Sequence, residues 1–127
     1  MTFPKLFEPV FKNGLYPAWS AIEAIEFDRY LQSELGISPG LLMENAAQSL
    51  SRLVKHLLPG PIQRLLYLVG PGNNGGDALV CLRQLHSLQK NSLYVWAPLG
   101  LPGHQSGPSG KAIRTLEHLA IPIHSTP

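Results

Sequence analysis

One cysteine in 127 residues is the first constraint, because Cys81 has no partner within the chain and cannot close an internal disulfide. Disulfide-stapled architectures are thereby excluded, and the expected compartment is a reducing, cytoplasmic one. Charge is scarce as well. Only 14% of the residues are charged, against about 25% in an average globular domain, and the net charge is +2. No run of lysine or arginine marks a face, so DNA or RNA recognition by a basic surface is not expected. Apolar runs are short; none approaches the ~18 residues that a membrane-spanning helix needs. The N-terminal "MTFPKLFEPVFKNGLYPAWS" lacks both the apolar centre of a signal peptide and the arginine and serine richness of a transit peptide.

The chain does hold apolar residues at 44%, and its length suits one domain with a real core. Residues 1–19 read as an arm, in which Pro4 and Pro9 argue against a continuous helix. Residues 20–127 read as the domain. Ser20 and Glu23 form a capping box, and Ala24, Phe27, Leu31 and Leu35 give a helical stripe that Gly36 ends. Ser38 and Pro39 start a second helix with a stripe of Leu42, Ala46, Leu50, Leu53 and Leu57. Both helices are expected to pack on a sheet face.

"RLLYLVG" (Arg64 to Gly70) is almost continuously apolar, as suits a strand of a parallel sheet covered on both faces. Ala78, Cys81, Leu82, Leu85 and Leu88 follow with helical spacing. Cys81 falls on the buried side of that helix and reads as a small hydrophobe. "SLYVWA" (Ser92 to Ala97) is a second strand. A Pro- and Gly-rich loop runs to Gly110, and Ala112 to Ala120 form a further helix capped by Ser109. "IPIH" (Ile121 to His124) is a third strand, which Pro122 confines to an edge. Alternating strands and helices predict parallel pairing with right-handed crossovers. Three strands are few for a doubly wound sheet, so the expectation is a fragment or a molecule completed by a partner.

Between the first strand and its helix stands "VGPGNNGGDALV" (Val69 to Val80). Gly70, Gly72 and Gly75 satisfy G-x-G-x-x-G between strand and helix, where free amides would accept a phosphate. An ordinary dinucleotide site also wants an acidic residue at the end of the second strand. Here that region reads Trp96-Ala97-Pro98-Leu99. Asn73 and Asn74 could serve only as turn residues, with Asp77 as a cap. Two amides and a carboxylate on one glycine-rich turn exceed what a turn needs, however. They can hold a hard cation or sugar hydroxyls. The five histidines show no paired metal-ligand spacing. "GHQSG" and "GPSG" do not make a nucleophile elbow after a strand. Trp96 reads as core or as the wall of a base pocket.

These residues carry a resemblance. "GPGNNGGDALVCLRQL" is similar to the GxGNNGGDGLVxAR loop of the YjeF N-terminal domain family, the NAD(P)H-hydrate epimerases, and "LLMENAAQSL" resembles its LMENAG segment. The resemblance implies an α/β, three-layer Rossmann-like parallel sheet, here truncated after the third strand and preceded by two helices. The implied activity is that of an isomerase in nicotinamide cofactor repair, interconverting the R and S epimers of hydrated NADH or NADPH (NADHX, NADPHX) for a separate ADP- or ATP-dependent dehydratase. Carried over, Gly72, Asn73, Asn74, Gly75, Gly76 and Asp77 would bind the nucleotide, Asn74 would ligate a potassium ion and Asp77 would be catalytic. Glu44 and Asn45 would support the loop. Ala78 stands where the family has glycine. A homodimer is a further expectation, and so is an alternative role. Domains of this fold also serve as non-catalytic scaffolds in RNA-decay assemblies and as apolipoprotein-binding proteins.

Overall fold

The computed structural model describes residues 10–12, 16–58, 64–86, 93–102 and 107–125. They form two compact units, residues 1–38 and 39–127. In the first unit, β1 (Val10–Lys12) pairs antiparallel with β2 (Tyr16–Ala18), Val10 opposite Ala18 and Lys12 opposite Tyr16. Both strands lie within residues 1–19, the segment read from the sequence as an arm. Helix α1 (Ala21–Ser33) begins at the capping box expected of Ser20 and Glu23. The Ser20 amide donates to Glu23 Oε2 at 2.6 Å and the Glu23 amide to Ser20 Oγ at 3.2 Å. Trp19 meets Phe27 edge to face, with ring centroids 4.7 Å apart. No residue of α1 is buried.

The second unit holds α2 (Pro39–Leu57), β3 (Leu65–Leu68), α3 (Asn73–His86), β4 (Leu93–Ala97), α4 (Pro108–His118) and β5 (Ile123–Ser125). The strands form a parallel sheet in the order β3-β4-β5, with Leu68 beside Trp96 and Trp96 beside His124. The ladder runs one step beyond β3, where the Val69 amide donates to the Trp96 carbonyl at 2.9 Å. Strand order that advances in one direction through crossovers of one hand places both crossover helices on the same face. Accordingly α3 packs between α2 and α4. Residues alternate along the strands: Leu93, Val95 and Ala97 are buried under the helices, whereas Tyr94 and Trp96 are exposed.

This arrangement corrects the expectation of a sheet covered on both faces. Leu66 is 57% exposed and Leu68 67%, so among the described residues of this unit the helices form one layer and the far face is open. The unbroken apolar run fitted a strand buried on both sides, yet only its odd-numbered positions turn inward. The α2 stripe is also displaced by one residue. Met43, Ala47 and Ser51 are buried, with Leu50 and Val54 packed beside them, while Ala46, Leu53 and Leu57 face outward. Helix α2 lies against α3 and α4 rather than on a sheet face. Ser109 is not a cap either: the N-cap of α4 is Gly107, and Ser109 is buried inside the first turn. Leu88 and the loop residues His104 and Ser106 lie outside the described residues.

The core is almost wholly aliphatic, with Leu79, Leu82, Leu85, Leu116 and Val95 fully buried. Burying each such side chain contributes about 1.5–3 kcal/mol. One polar seam crosses it. Ser51 Oγ donates to Gln84 Oε1 at 3.0 Å and lies 3.3 Å from Cys81 Sγ, and the Tyr67 hydroxyl lies 3.4 Å from the same sulfur. Cys81 is fully buried, as its place on the helix stripe predicts. Burial first, and then the adjacent thiol, pushes the Tyr67 phenol well above its ordinary value of 10.0.

Two expectations follow from this packing. A Cβ on Gly76 would meet Met43 Cε at 2.5 Å and also Ser109 Oγ, both movable ends; a Cβ on Gly75 would run into the Gly70 carbonyl oxygen, which is backbone. Helix propensity alone would make either alanine stabilising by about 1 kcal/mol. We expect instead that Gly76→Ala loses about 1 kcal/mol and Gly75→Ala about 3 kcal/mol or more in urea unfolding, since overpacking outweighs propensity. Stabilisation of both variants would contradict the close approach. The second concerns alkaline pH. The folded state keeps the Tyr67 phenol protonated where the unfolded chain ionises, so its contribution is intact below about pH 10 and lost as pH rises further. Unfolding free energy should fall less steeply above that pH in Tyr67→Phe than in the parent.

Candidate functional site

Helix α3 starts earlier than its apolar spacing suggests. Gly72 is its N-cap residue, and the Gly72 carbonyl accepts from the amides of Gly75 at 3.0 Å and Gly76 at 3.3 Å. Asn73 and Asn74 therefore occupy the first two helical positions, where backbone amides have no partner inside the helix. Four of the six expected nucleotide-binding residues come together here. Gly72, Asn73, Asn74 and Gly75, with Gly70 and Leu68, line a cavity of about 400 Å³ at the C-terminal end of β3. Both asparagines are exposed to it. Such a cavity offers side-chain amides and unpaired backbone donors at the positive end of a helix, a combination suited to phosphate oxygens and sugar hydroxyls.

Gly76 and Asp77 are placed differently. Gly76 is buried and faces Met43 and Ser109, so its role is to let α3 approach α2 and α4. Asp77 is half-buried one position further along the helix and is not among the residues lining the cavity. The end of β4 carries no carboxylate. Ala97 is followed by a turn in which the Gly100 amide donates to the Ala97 carbonyl at 3.0 Å, with Gly100 at φ 88°. An acidic clamp for a ribose at that point is absent among the described residues, as the sequence implies.

Glu44 does not reach the loop. Arg83 Nη2 donates to its two carboxylate oxygens at 2.6 and 2.7 Å, and Gln84 Nε2 to Oε2 at 3.0 Å. Arg83 lies six residues beyond Asp77, about 9 Å along the helix axis. The pair is partly exposed, which keeps its contribution at about 1 kcal/mol or less. Asn45 is exposed. What joins α2 to the head of α3 is instead Met43, which sequence reading passed over because its neighbour bears the charge. Ser109 Oγ completes that contact, 4.0 Å from Met43 Sδ. Leu68 is the other residue missed, and its strand alternation with the exposed Leu66 was the available signal.

No group of three or more His, Cys, Asp or Glu residues comes together among the described residues. His118 Nδ1 lies 2.8 Å from the Arg114 carbonyl oxygen within its own helix. No helix among the described residues is long and apolar enough to cross a membrane.

Comparison with known proteins bears on the same segments. One relative is the chloroplastic pyridoxine/pyridoxamine 5'-phosphate oxidase 1 of Arabidopsis thaliana, 45% identical over half of this chain but over only 12% of its own length. Another is an NAD(P)H-hydrate epimerase of Anopheles darlingi, 38% identical over 60% of this chain and 33% of that protein. Among solved structures, the yeast protein ynu0 superposes with a TM-score of 0.72 at 28% identity, covering 84% of this chain and 46% of its own. This chain thus spans less than half the length of each. The family model for the YjeF-related protein N-terminus matches residues 40–127, all of the second compact unit except Pro39. Since that match covers more than half of its residues, the chain belongs to the family of YjeF-related protein N-termini.

Proposed function

We propose that this chain carries the nucleotide-binding part of an NAD(P)H-hydrate epimerase, acting on hydrated NADH or NADPH. The observation that supports the reading most is the cavity at the head of α3, where the N-terminal turn of a helix and two exposed asparagines share one wall. A dinucleotide phosphate would take the free amides of Asn73 and Asn74, and the ribose hydroxyls would take their side chains. Inversion at the hydrated carbon requires a bond there to break and re-form, and the Asp77 carboxylate is the group proposed to move the accompanying proton. Asp77 must then come within hydrogen-bond reach of the bound ring.

Potassium is the ion proposed for the site. The cavity wall supplies amide oxygen from Asn74, with Asn73 beside it, and no thiolate or imidazole, a donor set suited to a hard cation. Bound there, the ion would supply positive charge against the phosphates. Asn74 would hold it, and the product would pass to a dehydratase. A cytoplasmic setting and a homodimer belong to the same reading.

The test is epimer interconversion of hydrated NADPH with potassium present, followed for the parent chain, Asp77→Ala and Asn74→Ala. A rate above the spontaneous one that falls by at least about 100-fold in Asp77→Ala would support a proton-transfer role, a general acid or base being worth about 10²–10⁴-fold. Asn74→Ala should raise KM more than it lowers kcat. A parent chain that only matches the uncatalysed rate would overturn the enzymatic reading and leave a binding module.

A further inference from the structure

The open face of the sheet begins where the candidate site ends. Leu68 lines the cavity at the head of α3 and stands directly beside Trp96 in the parallel register of β3 and β4. Neighbouring side chains on one face of a sheet are about 5 Å apart, so the indole lies one strand spacing from the cavity wall. Trp96 is 44% exposed, on the face of β4 opposite the buried Val95 and Ala97. A second, larger groove of about 570 Å³ continues from it, lined by Arg64, Leu65, Leu66, Tyr94, Trp96 and His124. Its character is complementary to that of the first cavity: one is walled by amides and glycines, the other by aromatic and aliphatic carbon with cationic or titratable groups at two positions. A dinucleotide has the same division, with polar phosphates and sugars joined to flat rings. Trp and Tyr offer a large rigid surface at low entropic cost, which makes them effective stacking platforms.

We propose that Trp96 is a binding residue for the nucleotide, its indole stacking on a planar ring whose phosphates sit at Asn73 and Asn74. This rests on the nucleotide-binding reading given above and adds to it a ring subsite on the open sheet face. Leu68 and Leu66 form the apolar floor beside the stacked ring. His124, next to Trp96 on β5, closes the far side of the row.

The test uses NADP+ titrated calorimetrically into the full chain and into Trp96→Ala, Trp96→Phe and Asn74→Ala. Stacking on an aromatic side chain predicts about 5- to 100-fold weaker binding in Trp96→Ala, with Trp96→Phe restored to within a few-fold of the parent. The chain has two tryptophans, so Trp19→Phe isolates the Trp96 emission. NADP+ should quench that emission saturably, and ribose 5-phosphate, which has no ring to stack, should not. Binding lost in Asn74→Ala but unchanged in Trp96→Ala would overturn the stacking role while leaving the loop as the nucleotide site. Parent and Asn74→Ala chains that both fail to bind, or that bind equally, would overturn the loop reading and the ring subsite with it. Unchanged affinity in Trp96→Ala, accompanied by a shift from dimer to monomer in sedimentation, would also overturn it and assign the face to a second copy of the chain.

Discussion

Four segments converge on the first turn of α3, and they do so because Gly75 and Gly76 have no side chains. Gly75 sits against the Gly70 carbonyl, with Pro102 Cγ 3.0 Å from where a Cβ would stand, while Gly76 takes Met43 and Ser109. The return of the chain after β3, the loop after β4, and the starts of α2 and α4 are located by that contact. The cavity owes its shape to the same approach. Were α3 held farther off, Asn73 and Asn74 would leave the wall that Leu68 and Gly70 complete. Glycine here is a steric requirement of four neighbouring segments, more than a conformational one, since neither residue adopts positive φ.

The one-sided sheet has a comparable reach. Crossovers of one hand that advance β3 to β4 to β5 must stack their helices together, and among the described residues of this unit the other face, with Leu66, Leu68, Tyr94 and Trp96, is left uncovered. Exposed apolar surface of this kind on a sheet marks a place meant to be met by something. It adjoins the amide-rich cavity, so the polar and apolar parts of a candidate ligand site come from opposite sides of one strand end. Within the covered face, the seam of Ser51, Cys81, Tyr67 and Gln84 pairs α2 with α3 and β3 by directional bonds. The Glu44 clamp on Arg83 and Gln84 extends it to the surface. Aliphatic packing alone would tolerate a slide of α2 along α3; these bonds fit one register.

Much of the fold was legible in the sequence. The alternation of apolar strands with periodic helices, the capping box at Ser20 and the proline start of α2 act over a few residues, and short-range rules suffice for them. The loop of Asn73 to Asp77 was legible for the same reason, as an excess of amide and carboxylate over what a turn requires. The phase of α2 was not. Its apolar residues are dense enough to allow adjacent stripes, and only the partner surface on α3 selects Met43 and Ala47 over Leu42 and Ala46. Nor could local pattern tell a strand buried on both sides from one buried on one side, because both read as a run of leucine, tyrosine and valine.

The sequence by itself determined the elements, their parallel order and the chemistry gathered in the glycine-rich turn, because these follow from backbone preference, side-chain period and residue type. Tertiary structure alone decided which way each member of that turn faces. It turned Asn73 and Asn74 to the cavity and Gly76 to the core, sent Glu44 to Arg83 and brought Met43 to the loop, and left Trp96 on an open face. Those outcomes depend on how closely separate segments can approach one another, and no local pattern carries that distance.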